Sequence, residues 1–139
     1  MASLKNLGIG HCNIEGGLST NLAKTTEIKN VIFREQLDIF GINETNLNPT
    51  IETESLNIPL NFKLERCDRP NSSSRGGCGI LISKKVKYKL VNLNNTYTNM
   101  NKIEALWVEL TDFNIFLCFF IDPKTSLAWI SSWITCLSV

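Results

Sequence analysis

Apolar residues recur along this chain in short runs whose period changes from segment to segment, and the changes outline its elements. Leu4 to Cys12 is apolar with glycines at 8 and 10, and it is bounded by Asn13-Ile14-Glu15-Gly16-Gly17. That pattern predicts a first strand entering a glycine-containing loop at Asn13. Leu22, Ile28, Val31 and Ile32 then keep roughly helical spacing. They predict a helix through Gln36, with Ser19, Thr20, Thr25 or Thr26 as its N-cap. Leu37 to Ile42 is nearly continuous in apolar residues, as in a strand buried on both faces. Strand, helix and strand together predict a parallel pair with a right-handed crossover.

Beyond this unit the pattern is antiparallel in character. Asn46 to Asn61, with Pro49 and Pro59, reads as loop, and Cys67 to Gly79 as a polar loop rich in Ser, Arg and Gly. Gly79 to Ser83 is apolar, and Lys85-Val86-Lys87-Tyr88-Lys89-Leu90 alternates strictly, predicting a half-buried strand. Ile103 to Leu110 and Ile115 to Ile121 are two further apolar runs, separated by a hairpin-like Thr111-Asp112-Phe113-Asn114. The expected fold class is α/β, with mixed parallel and antiparallel strands. One predicted helix cannot cover two faces, so a second sheet is needed to bury the first.

Composition narrows the class. A chain of 139 residues, 43% of them hydrophobic and 19% charged, can bury a core and reads as one domain rather than as a disordered segment. The amino terminus lacks a continuous apolar stretch after its first basic residue and does not read as a secretory signal, which favours a nuclear or cytoplasmic address. The run from Ser126 to Val139 is uncharged but shorter than the roughly 20 residues a spanning helix needs, so no membrane association is expected. The five cysteines are odd in number and scattered, without a Cys-x-x-Cys pair, which argues against zinc and against a disulfide framework.

Charge is informative only in its distribution. Residues 61–102 hold nine basic and two acidic residues, whereas the net charge of the whole chain is +1. Such a segment is the footprint of a phosphate-rich partner or else a solvated lysine face. Arg66, Arg69, Arg75, Lys84 and Lys85 are its candidate nucleic-acid contacts, with Lys87 and Lys89 beside them.

Two residues stand where α/β sheets concentrate chemistry, at the carboxyl ends of predicted parallel strands: Asn13 and Glu44. An amide oxygen and a carboxylate at adjacent strand ends suit a hard cation such as Mg²⁺. Taken singly, Asn13 reads as a turn residue and Glu44 as a solvated strand end. His11, the one histidine, reads as the end of a core strand, having no partner ligand.

Four motifs in order change that balance: Asn13-x-x-Gly16, Asp38-Ile39-Phe40-Gly41-Ile42-Asn43-Glu44-Thr45, Arg75-Gly76-Gly77-Cys78-Gly79-Ile80-Leu81-Ile82 and Glu104-x-x-Trp107-Val108-Glu109-Leu110. Over residues 4–123 the chain resembles the endonuclease/exonuclease/phosphatase superfamily, which includes deoxyribonuclease I, and within it the endonuclease domains of non-LTR retrotransposons. The resemblance implies the amino-terminal part of a two-sheet α/β sandwich over residues 1–125, followed by an apolar tail at 126–139. It also implies Mg²⁺-assisted phosphodiester hydrolysis in DNA, with Glu44 as the metal-binding glutamate and Asn13 beside the metal and the scissile phosphate.

The departures are as specific. Asn43 replaces the usual glutamine before Glu44, and Ile121-Asp122-Pro123-Lys124 stands where a Tyr-Arg-Pro-Pro-like segment is normal. The family's downstream Asp-x-Asn pair and its closing Ser-Asp-His motif have no counterpart. The expectation is therefore a truncated endonuclease domain, inactive as it stands. The alternatives are a superfamily phosphatase sharing the Asn13 and Glu44 site, and a non-catalytic nucleic-acid-binding module retaining only the basic face.

Overall fold

A computed structural model describes residues 7–14, 17–18, 22–68, 76–91 and 104–121, apart from the side chains of Glu104, Phe120 and Ile121. The expected tail at 126–139, the arginines at 69 and 75, and the candidate caps Ser19 and Thr20 lie outside these residues.

The entry is the anticipated βαβ unit. Strand β1 (Ile9–Asn13) and strand β2 (Ile39–Asn43) are parallel, Ile9 opposite Ile39 and Asn13 opposite Asn43, joined through helix α1 (Leu22–Arg34). All five residues of β2 are buried, as its unbroken apolar run predicts. Thr25 and Thr26 are not N-caps, because α1 begins upstream at Leu22. The Thr26 hydroxyl instead donates back to the Leu22 carbonyl at 2.8 Å. At the other end Gln36 adopts a left-handed φ of 53°. The Gln36 amide donates to the Phe33 carbonyl and the Leu37 amide to the Ile32 carbonyl, a Schellman closure that stops the helix and aims the chain into β2.

Three further strands differ from expectation in extent. Strand β3 (Phe62–Cys67) is an addition to the expected elements; Phe62 and Leu64 are buried and Lys63 between them is exposed. Strand β4 (Cys78–Ser83) starts one residue earlier than expected and is wholly buried. The alternating lysine segment contributes only a three-residue strand β5 (Tyr88–Leu90), because Lys84 and Lys85 form the turn that leaves β4. Strands β6 (Glu104–Leu110) and β7 (Ile115–Ile121) form the expected hairpin around residues 111–114.

The strands make two sheets, a mixed one ordered β1-β2-β4-β3 and an antiparallel one ordered β5-β6-β7. Strand alternation sends each residue set to one side. Phe40, Ile42, Leu64 and Leu81 meet Ile28 and Ile32 of α1 in one core, while Ile39, Ile80 and Ile82 meet Val108, Leu110, Leu117 and Phe119 of the second sheet in another. The second sheet thus buries the face that the single helix cannot. On one flank the sheets are tied where the Tyr88 hydroxyl of β5 donates to the Glu65 carboxylate of β3 at 2.6 Å. Lys63 lies 3.0 Å from the same carboxylate. Among the described residues no helix is long and apolar enough to cross a membrane.

Candidate metal and phosphate site

The register places Asn13 and Glu44 at the same end of the mixed sheet. Asn13 is the last residue of β1 and pairs with Asn43, so Glu44 lies one step beyond it on the neighbouring strand. Asn13 is exposed and Glu44 half-buried. In register with them across the sheet, Asn43 opposes Cys78 and Cys78 opposes Cys67.

Glu44 does not simply trail off the strand. Its φ is 59°, left-handed, and Asn46 two residues later has a φ of 50°. A non-glycine residue in this region costs about 1–2 kcal/mol, and such strain gathers at functional sites. The backbone around Glu44 is held from two directions. On the β1 side the Ile14 amide donates to the Asn43 carbonyl at 3.0 Å and the Leu18 amide to the Thr45 carbonyl at 2.9 Å. On the β4 side the Thr45 and Asn46 amides donate to the Gly77 and Gly76 carbonyls, and the Gly76 amide returns a bond to Asn46 Oδ1 at 2.8 Å. Position 77 requires glycine twice over. Its φ is +80°, and a Cβ there would lie 2.7 Å from the Thr45 hydroxyl, itself fully buried. The glycine pair in the sequence therefore serves to position Glu44.

Both candidate ligands offer oxygen, as Mg²⁺ prefers. Among the described residues no group of three or more His, Cys, Asp or Glu side chains converges, so Asn13 and Glu44 would leave most of the coordination shell to water or phosphate. Beside Asn13 a cleft of about 490 Å³ is lined by Cys12, Lys24, Glu27 and Val31. Lys24 and Glu27, one turn apart on α1, carry no signal in the sequence. Nothing in their spacing distinguishes them from a solvated helix face.

His11 lies on the inter-sheet side of β1, stacked on Phe119 with ring centroids 5.8 Å apart and an interplanar angle of 18°. Burial pushes its pKa below the ordinary value, although a hydrogen bond with the Asn43 side chain acts in the opposite sense. The fold thus disfavours the imidazolium, and the unfolded chain binds the proton more readily. The stabilisation from neutral His11 is complete above its unfolded pKa of about 6.5 and is lost as pH falls through the lower folded value. Because the chain has one histidine, urea midpoints of the wild type should drop between about pH 7.5 and pH 5.5, and those of His11→Phe should drop less. Equal pH dependence in the two proteins would contradict this assignment.

Of the candidate nucleic-acid contacts, Arg66, Lys84 and Lys85 lie among the described residues, and these three do not gather around Glu44. Arg66 turns its guanidinium inward: Nε and one terminal nitrogen donate to the Asp68 carboxylate, and the terminal nitrogens also reach the carbonyls of Asn48 and Ile51 and the Thr53 hydroxyl. Its hydrogen-bonding capacity is used within the chain. Lys84 and Lys85 are exposed, but they follow the last residue of β4, whose first residue lies at the Glu44 end. They sit at the opposite end of the sheet, roughly 17 Å away at about 3.4 Å per residue. An Asp-x-Asn triplet does occur, at Asp112-Phe113-Asn114, but it forms the β6–β7 turn. There Asp112 approaches Lys87, and the Thr111 amide donates to the Lys87 carbonyl, again far from Glu44. Neither a scan against family models nor a search of curated proteins returned a match for this chain.

Proposed function

We propose that these 139 residues supply the amino-terminal half-site of a Mg²⁺-dependent endonuclease domain of the deoxyribonuclease I-like, non-LTR retrotransposon type, and that they do not hydrolyse DNA by themselves. One observation carries the reading: the residue expected to hold the metal, Glu44, is strained into a left-handed conformation by bonds from both neighbouring strands, beside Asn13 on the parallel partner. A divalent cation bound there would polarise a phosphoryl oxygen. Glu44 would anchor and orient, Asn13 would meet the phosphate, and the exposed Lys84 and Lys85 would touch a more distant stretch of the same polyanion. No residue of this chain is assigned the role of a base that activates water, and general-base assistance supplies about 10²- to 10⁴-fold.

Manganese serves as a paramagnetic probe for the site. Adding Mn²⁺ to isotopically labelled protein should broaden amide resonances around residues 13 and 43–46 in the wild type and leave them sharp in Glu44→Ala. Mg²⁺ should compete the effect away. Uniform or absent broadening in the wild type would remove the metal site. In parallel, plasmid nicking by the wild type with Mg²⁺ should not exceed that of Glu44→Ala. Glu44-dependent nicking would show that the chain does contain a base, on a residue whose role would otherwise be purely structural.

A further inference from the structure

The cysteines, scattered in sequence, are not scattered in space. Cys67 ends β3 and Cys78 begins β4, and the antiparallel register sets them directly opposite one another. Directly opposed residues in an antiparallel pair have Cα atoms about 4.5 or 5.5 Å apart, and either value lies within the span of about 4.4–6.8 Å that a disulfide bridges. Opposed residues also project to the same face. For Cys78 that face is the inter-sheet side, since its thiol reaches the Phe119 carbonyl of β7 at 3.7 Å. Both residues carry thiols. Cys78 is fully buried, whereas Cys67 is half-exposed and open to a small reagent.

We infer that Cys67 and Cys78 form a redox-active pair, a cross-strand disulfide site at the end of the mixed sheet that also bears Asn13 and Glu44. The inference rests on register and burial alone and stands independently of the hydrolytic reading. The oxidant class is a small-molecule disulfide such as glutathione disulfide. The Cys67 thiol releases its proton and its thiolate attacks one glutathione sulfur, forming a mixed disulfide and expelling a glutathione thiolate that takes up a proton. The Cys78 thiol then releases its proton and its thiolate attacks Cys67 Sγ, forming the Cys67–Cys78 bond and expelling a second glutathione thiolate, which takes up that proton. Two protein thiols are oxidised and one disulfide is reduced to two thiols, so atoms and electrons balance.

Oxidised, the pair would staple β3 to β4 next to Gly76 and Gly77, whose carbonyls hold Thr45 and Asn46. The redox state would therefore govern the rigidity of the strand junction that sets the Glu44 conformation. Cysteine spacing gives no sign of this link, because the opposition comes from the β3–β4 register and β3 is itself hidden in the sequence.

The test is disulfide mapping on the native chain treated with glutathione disulfide, with the remaining thiols blocked before tryptic digestion. The expected product is one linked pair of peptides, Cys67 to Arg75 joined to Gly76 to Lys84, with the chain short of two thiol hydrogens and monomeric on a non-reducing gel. Cys67→Ser should retain all its thiols under the same treatment. In urea the selectivity should vanish, giving a mixture that also engages Cys12, Cys118 and Cys136. The inference is overturned by a mixed disulfide that persists on Cys67, by an intermolecular link, or by a native mixture matching the one in urea. The mapping is done on the wild type, so the answer does not depend on the variant folding.

Discussion

Gly41→Ala is expected to destabilise the protein by about 3 kcal/mol, at the upper end of the usual range for overpacking a core. Gly41 sits in the middle of β2, between the two sheets, and a methyl group there would fall well inside the van der Waals envelope of the Phe119 ring, at Cδ1 and Cε1. The ring has no easy escape, because it is buried and stacked on His11, whose Cδ2 would itself lie 3.0 Å from the new carbon. Alanine ordinarily gains roughly 0.5–1 kcal/mol over glycine in a strand interior, so the sign depends on which effect is larger. Overpacking wins here because the obstruction is an aromatic ring held between sheets. Urea denaturation should show a lower midpoint with an unchanged slope. Adding Phe119→Leu should recover part of the loss, a coupling that only direct contact produces. A neutral Gly41→Ala would mean that Phe119 does not pack over this position.

How much of this fold is legible in the sequence varies with the range of the interaction. The βαβ unit is legible because its signals are local: an apolar run too continuous for one-sided burial at 37–42, and helical spacing at 22–32. The hairpin of β6 and β7 is legible for the same reason. Strand β3 is not, because Lys63, Glu65 and Arg66 draw attention to charge, while the informative feature is that Phe62 and Leu64 alternate with them. The lysine alternation from 85 to 90 misleads in the opposite direction, since a turn followed by a short strand can reproduce a period of two. At the candidate site, the placement of Asn13 and Glu44 at strand ends follows from the pattern. The left-handed backbone of Glu44 does not, because it depends on carbonyls at 76 and 77, more than thirty positions away, and on the loop after β1.

Arg66 is where a reading from charge and a reading from geometry predict different measurements. As a nucleic-acid contact, Arg66→Ala would leave stability unchanged and flatten the salt dependence of DNA binding by about 0.9 in slope. The geometry predicts the reverse. The side chains of Arg66 and Asp68 are 15% and 12% exposed, and the guanidinium ties β3 to the segment from Asn48 to Thr53 through two carbonyls and a hydroxyl. Removing it strands the Asp68 carboxylate and takes the Arg66 donor from the Ile51 carbonyl, while the Asn48 carbonyl keeps the Ile51 amide. Breaking a buried ion pair from one side costs about 3–5 kcal/mol, and the residual exposure of this pair places the expected loss near 3 kcal/mol. Lysine should rescue only part of it, since one ammonium cannot reproduce a planar fork aimed at four acceptor groups. Denaturation curves for wild type, Arg66→Lys and Arg66→Ala should therefore fall in that order, and the salt slope of DNA binding, measured where Arg66→Ala is still folded, should match the wild type. If stability holds while the slope flattens, the guanidinium faces phosphate in solution and the segment from Asn48 to Thr53 is held by something else.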